Sequence, residues 1–211
     1  MVDPDPLASV RAAYDAAAAR YARDIPARFH AAPLNHAMIP AFAELVRERG
    51  PVADVGCGPG HVTAHLRDLG VTAFGVDLSP EMIALATTAH PGLRFEVGRM
   101  DALRVADAEL AGVIAYHSII HTPPERLPET FAEFRRVLAP RGHLLLAFPG
   151  HDDTAEAFDH VVARAYRFAP DRIAEGLGDA GIGEVARLVI AGSEDARRGF
   201  PQVCLLARRT G

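Results

Sequence analysis

An α/β architecture, a doubly wound and mostly parallel sheet with helices on both faces, is predicted by three observations. Short apolar runs at residues 52–55, 71–76, 94–97, 112–116 and 143–148 alternate with helical stretches, as expected of parallel strands covered on both sides. The first run leads straight into Gly56-Cys57-Gly58-Pro59-Gly60, a glycine-dense turn that opens a helix. Acids then stand at or just beyond the ends of the next two runs, Asp77 and Asp101, where open α/β sheets gather their ligands.

Residues 7–24, rich in Ala and Arg, favour a helix. Its Tyr14 and Tyr21 lie seven apart on one face, suited to covering a site or to plain half-buried packing. Pro26, Pro33 and Pro40 interrupt the next stretch, so a bent connector is expected to about His36, then a helix over 39–49 stopped by Gly50-Pro51. Ser79-Pro80-Glu81 combines an N-cap, a first-turn proline and an acid at the positive end of the dipole; His90-Pro91-Gly92 ends that helix. From Pro124 a further helix places Phe131, Phe134, Val137 and Leu138 on one face, which should pack on the sheet. Residues 149–169, with His151, Asp152, Asp153, His160 and Tyr166, have no regular pattern and are expected to cover a substrate. A helix over 171–180, closed by Gly181, precedes two strands at 185–191 and 202–207 that can pair through a polar loop.

The glycine spacing selects among nucleotide ligands. Dinucleotide turns read G-x-G-x-x-G, with the third glycine five residues after the first; here it comes after four, and His61 crowds the approach. Asp54, inside the strand, can orient the loop or meet a cationic ligand group. No G-x-x-x-x-G-K-[ST] occurs. The ligand is therefore expected to be a nucleoside carrying something other than phosphate, with Asp77 accepting hydrogen bonds from its ribose.

Asp54-Val55-Gly56-Cys57-Gly58-Pro59-Gly60 resembles the first motif of the class I S-adenosylmethionine-dependent methyltransferases, and Gly75-Val76-Asp77-Leu78-Ser79 resembles the second. Gly98-Arg99-Met100-Asp101-Ala102 is similar to the third. Residues 137–144 resemble the turn into the fifth strand, with Arg141 where many relatives carry Gly, and residues 14–21 resemble the amino-terminal helix of small-molecule methyltransferases. This resemblance implies a Rossmann-like seven-stranded sheet with an antiparallel last strand, S-adenosylmethionine as donor and S-adenosylhomocysteine as product. It implies that Asp54, Gly56, Cys57, Gly58 and Gly60 seat the methionine part, Asp77 and Leu78 the ribose, and Met100, Asp101 and Ala102 the adenine end. Met82 and Leu103 either flank adenine or belong to the core. Tyr116 stands at a strand end facing the donor, and Tyr14 and Tyr21 close over it.

The acceptor side is less legible. His117 and, more weakly, His151 are the candidate proton acceptors. His117 and His121 are spaced four apart, as a metal-binding pair would be, but no third ligand is evident locally, so no metal is expected. Phe148, Phe158, Tyr166 and Phe168 suggest a partly aromatic wall. Oxygen, nitrogen and carbon acceptors all fit, and a protein that binds the donor without transferring its methyl group is the alternative.

Composition narrows the setting. The 211 residues suit a single domain, parsed as a cap (1–50), a cofactor core (51–148), a covering segment (149–169) and a carboxy-terminal part (170–211). Net charge is −5, with the arginines scattered, which argues against nucleic acid and for a small-molecule partner. No basic leader, bilayer-length apolar run or C-x-x-C appears, and the two cysteines, Cys57 and Cys204, are far apart; a cytoplasmic protein without membrane contact or disulfide is expected. Nothing in the sequence marks an oligomeric interface.

Overall fold

The computed structural model describes residues 6–192 and 199–211. The start of the expected leaderless terminus and most of the polar loop between the last two strands lie outside the described residues. The elements run α1 (Pro6–Ala31), α2 (Met38–Val46), β1 (Val52–Val55), α3 (His61–Asp68), β2 (Ala73–Asp77), α4 (Pro80–Ala89), β3 (Arg94–Val97), β4 (Leu110–Tyr116), α5 (Leu127–Val137), β5 (Leu138–Pro149), β6 (Glu156–Asp159), β7 (Arg164–Arg167), α6 (Pro170–Asp179), β8 (Ile182–Ile190) and β9 (Gln202–Arg209).

Seven strands form one Rossmann-like sheet in the order β3-β2-β1-β4-β5-β9-β8. Strands β1 to β5 are parallel, and β9 runs antiparallel to both neighbours. The strand order reverses between β1 and β4, the switch point at which such sheets bind ligands. One apolar layer joins the sheet to α5 and α6 through Phe131, Phe134, Val137, Leu138 and Leu177, so the periodic face read from Pro124 onward does pack on the sheet. The opposite layer holds Phe42 and Val46 of α2, Leu66 of α3 and Phe29 of α1. Ser79 caps α4 as its sequence requires, its Oγ accepting from the Met82 amide at 3.1 Å. Arg141 sits at φ 64°, a left-handed turn conformation that glycine adopts without strain.

Three expectations change. Helix α1 does not stop near residue 24 but continues through Pro26 to Ala31. A proline in a helix interior costs about 3 kcal/mol, and the offset comes from Phe29, 6% exposed in the core and ringed by His36, His61, His65 and Tyr116 at centroid distances of 4.5–5.8 Å. Residues 149–169 are more regular than expected: β6 and β7 pair as an antiparallel hairpin, Glu156 against Arg167 through Asp159 against Arg164. Within it, Phe158 alone of the four expected aromatics reaches the cavity described below; Phe148 and Phe168 are core, and Tyr166 stacks on Phe168 at 6.2 Å.

Candidate functional site

A cavity of about 530 Å³ opens at the carboxyl ends of β1, β2 and β4, roofed by α1 and flanked by the β6–β7 hairpin. Its floor is the turn after β1. The amides of Gly56 and Cys57 both donate to the Val76 carbonyl, at 2.7 and 3.1 Å, anchoring the turn to β2. Gly56 has φ 75°, and a β-carbon there would lie 2.2 Å from that of Ser118; at Gly58, φ 53°, a β-carbon would meet nothing within 4 Å. The first glycine is therefore required by packing, whereas the second leaves bare backbone facing the open cavity. Gly60 turns away from the cavity wall, where its missing β-carbon makes room for the Phe95 ring.

Asp77 organises this floor. Its two carboxylate oxygens accept one backbone amide each, from Gly58 at 2.8 Å and Ser79 at 2.9 Å. Burial pushes its pKa up, with these amides working in the opposite direction. A carboxylate has about four acceptor positions, so lone pairs remain for a ligand diol. Asp54 lies behind the turn, 1% exposed and outside the cavity wall. Thr63 Oγ1 donates to its Oδ2 at 2.6 Å, its Oδ1 has no partner, and burial raises its pKa to about 7. Asp101 reaches the wall but is already held by Arg99, at 2.8 and 2.9 Å, and by Arg126 at 3.1 Å; hydrogen bonding to Arg99 lowers its pKa.

Leu78, Met100, Tyr116, Tyr14 and Tyr21 also face the cavity. Tyr116 donates to the Asn35 carbonyl at 2.7 Å, fastening the end of β4 to the connector after α1. Met82, Ala102 and Leu103 do not face it: Met82 is fully buried on α4, Leu103 belongs to the sheet core, and Ala102 is exposed. The last two placements follow from the turn at residues 99–102, where the Arg99–Ala102 bridge and Glu133, accepting the Leu103 amide at 2.6 Å, pull the chain away from the cavity.

The histidines separate sharply. His117 follows β4 in a left-handed conformation, φ 55°, which histidine adopts more readily than most residues other than glycine. Its ring lies in the wall, and burial depresses its pKa to about 4, leaving a neutral imidazole. His151 lies outside the wall: its backbone pairs with Phe168, and its Nε2 sits 2.9 Å from Glu156. His121 is not a metal partner of His117. Its Nδ1 faces the Arg164 carbonyl at 2.7 Å, which can only accept, so Nδ1 carries the proton and Nε2 accepts the Tyr14 hydroxyl at 2.7 Å. Among the described residues no group of His, Cys, Asp and Glu is arranged to hold a metal ion. Sequence reading missed Phe29, Arg28 and Phe200 as wall residues; the first two share a helical face with Tyr21 and Ile25, but the proline at 26 masked that continuity.

Comparison with known proteins fits this geometry. Residues 52–142 match the family described as "Methyltransferase domain". The floor of the cavity lies within that match. Over 144 residues the chain is 33% identical to trans-aconitate 2-methyltransferase of Streptomyces avermitilis, covering 64% of this chain and 52% of that protein. Over 119 residues it is 31% identical to malonyl-[acyl-carrier protein] O-methyltransferase of Pectobacterium atrosepticum, covering 50% and 46%. The chain thus spans about half the length of these curated relatives. Magnesium protoporphyrin IX methyltransferase from Synechocystis superposes with a TM-score of 0.74 at 20% identity, each chain covered completely, a likeness that establishes the fold. The methyltransferase-domain match takes in Asp54, the glycine turn, Asp77, Asp101 and His117, and leaves α1 and the hairpin outside it.

Proposed function

We propose that this chain transfers a methyl group from S-adenosylmethionine to a small-molecule acceptor, releasing S-adenosylhomocysteine. One observation carries the reading: Gly58 presents bare backbone to a nucleoside-sized cavity while Asp77, tied to the Gly58 amide, keeps lone pairs for a ribose diol. The residues fit the donor. The turn from Gly56 to Gly60 seats its methionine part with Asp54 holding the turn from behind, Asp77 and Leu78 take the ribose, and Asp101 and Met100 meet the adenine. Bound there, the donor supplies a methyl group already made electrophilic by its sulfonium.

What the protein adds is placement and exclusion of water, an effect that can reach about 7–11 kcal/mol. Tyr14 and Tyr21 on α1 close the roof. His117 takes the acceptor's proton on a ring nitrogen. With a pKa near 4 it is a weak base, so the proton moves only as the acceptor atom becomes cationic during bond formation, and an already ionised acceptor bypasses it. A cytoplasmic setting is supported by the two free thiols, both buried, with Cys204 pushed up to about 12. Among the described residues no helix is long and apolar enough to cross a membrane. The scattered cations and net charge of −5 support a small molecule over nucleic acid.

Titration calorimetry with S-adenosylhomocysteine is the first test, expected to give saturable binding that Asp77→Ala weakens more than tenfold. Labelled-methyl incubation with a low-molecular-weight extract should then move label into that pool. Saturable product binding with no transfer to any fraction would overturn the methyltransferase reading while leaving the donor site intact.

A further inference from the structure

Opposite the glycine turn, the cavity is walled by rings. Phe158 meets Phe200 edge-to-face at 5.4 Å and His160 at 6.3 Å, His160 meets His121 at 5.5 Å, and His121 meets Tyr14 at 5.3 Å. All five line the cavity, forming one continuous run of aromatic faces and edges between the hairpin and the roof. Such a wall is matched by another π-system, since offset and edge-to-face ring pairs attract one another beyond what area burial alone supplies.

The charges around this wall point the same way. Among the described residues, three arginines line the cavity. Arg99 and Arg126 are spent on Asp101, and Arg28 is exposed on α1. Arg167, in β7 of the hairpin, is outside the wall, stacked over Phe200 at 4.0 Å and paired with Glu156. The imidazoles of His61 and His117 are held near pKa 4 by burial, and that of His121 is lowered as well, so none supplies a positive charge near neutral pH. Against this wall an acceptor carrying carboxylates or phosphate would be desolvated with no buried cation among the described wall residues to pair with, an arrangement that carries a heavy penalty for each charge. Neutral polar handles are present instead: the unbonded Ser118 hydroxyl, the His117 ring, and the carbonyl oxygen of Gln202, whose amide nitrogen donates to Phe200.

Building on the methyl-transfer reading, we propose that the acceptor is a flat, uncharged aromatic molecule bearing a hydroxyl or ring nitrogen as the methylated atom. It stacks against Phe158 and Phe200 and directs that atom toward His117. The cavity must hold donor and acceptor together, which limits the acceptor to about two fused rings. This differs from the acid acceptor in the name of the trans-aconitate relative.

The test uses the full chain saturated with S-adenosylhomocysteine, titrated by calorimetry with 2-naphthol, 4-hydroxyquinoline and 7-hydroxycoumarin, and in parallel with trans-aconitate and malonate. Saturable binding of at least one aromatic hydroxyl is expected, weakened tenfold or more in both Phe158→Ala and Phe200→Ala, with product affinity unchanged as the control for folding. No binding of either carboxylate is expected. Carboxylate binding that Arg28→Gln abolishes would overturn the proposal, as would aromatic binding indifferent to both phenylalanine variants, or no aromatic binding at all. Loss of product binding by the wild-type chain would instead strike the methyl-transfer reading.

Discussion

The two sides of the cavity are built in opposite ways. The donor side rests on the ends of β1 and β2, where the Gly56, Cys57 and Gly58 amides and the Asp77 carboxylate lock two adjacent loops through backbone hydrogen bonds. The acceptor side is assembled from α1, the turn after β4, the hairpin and Phe200, segments far apart in sequence whose contacts largely involve side chains, as in the Tyr14–His121 bond across 107 positions. The first is rigid because its partners are main-chain atoms held by the sheet. The second depends on packing that can vary without disturbing the sheet, which allows one donor site to serve different acceptors.

The sharpest way to break the donor side is at its glycines. Gly56→Ala forces a non-glycine residue to φ 75° and drives a β-carbon to 2.2 Å from Ser118. We expect a loss of about 3 kcal/mol or more in denaturant unfolding, from overpacking plus left-handed strain, with no product binding in what remains folded. Gly58→Ala has room, so strain of about 1–2 kcal/mol is the whole structural cost, yet its methyl group enters the ligand's space. Product affinity should fall at least tenfold in a well-folded protein. Equal effects of the two substitutions on stability would contradict the division between packing and ligand approach.

A pH-dependent effect probes what lies behind that floor. Asp54 ionises near 3.9 in an unfolded chain but near 7 when folded. The folded state therefore holds an extra proton between those values, and Asp54's contribution to stability, full below about pH 4, is lost as pH rises through about 7. Asp54→Asn keeps an acceptor for Thr63 and removes the titration. The difference in unfolding free energy between variant and wild type should grow in the variant's favour from pH 4 to pH 7 and level off above. A difference independent of pH would show that this carboxyl titrates normally in the fold.

The same contrast explains what could be read from the chain. The apolar runs of β1 to β5, the glycine turn, the place of Asp77 at the end of β2 and the cap of α4 were legible because each rests on local chemistry: a φ that favours glycine, an N-cap hydroxyl, a run of buried apolar residues. Helix α1 beyond residue 24 was not, because Pro26 signals a break and the opposing signal is tertiary, the burial of Phe29 against three histidines and Tyr116. His151 and His117 looked alike as histidines just beyond strand ends. Only the pairing of residues 150–151 with Phe168 and Pro201 shows that one of them is turned toward the hairpin. Spacing alone made His121 a possible metal partner, whereas its two ring nitrogens are consumed by Tyr14 and Arg164.

That last contact gives the mildest test, on the acceptor side. Tyr14→Phe removes one hydroxyl and leaves His121 Nε2 without its donor, in a half-buried position where water can substitute. A net hydrogen bond is worth about 0.5–1.5 kcal/mol, so stability should fall by about 1 kcal/mol or less, far below the cost of Gly56→Ala. Because the bond links α1 to the turn after β4 and through Arg164 to the hairpin, its loss should raise amide hydrogen exchange in α1 and β7 together while β1 and β2 stay protected. Exchange that rises equally in β2 would mean that the two sides of the cavity are coupled through the sheet; a rise confined to α1 would mean that Tyr14 fastens the roof without steadying the hairpin.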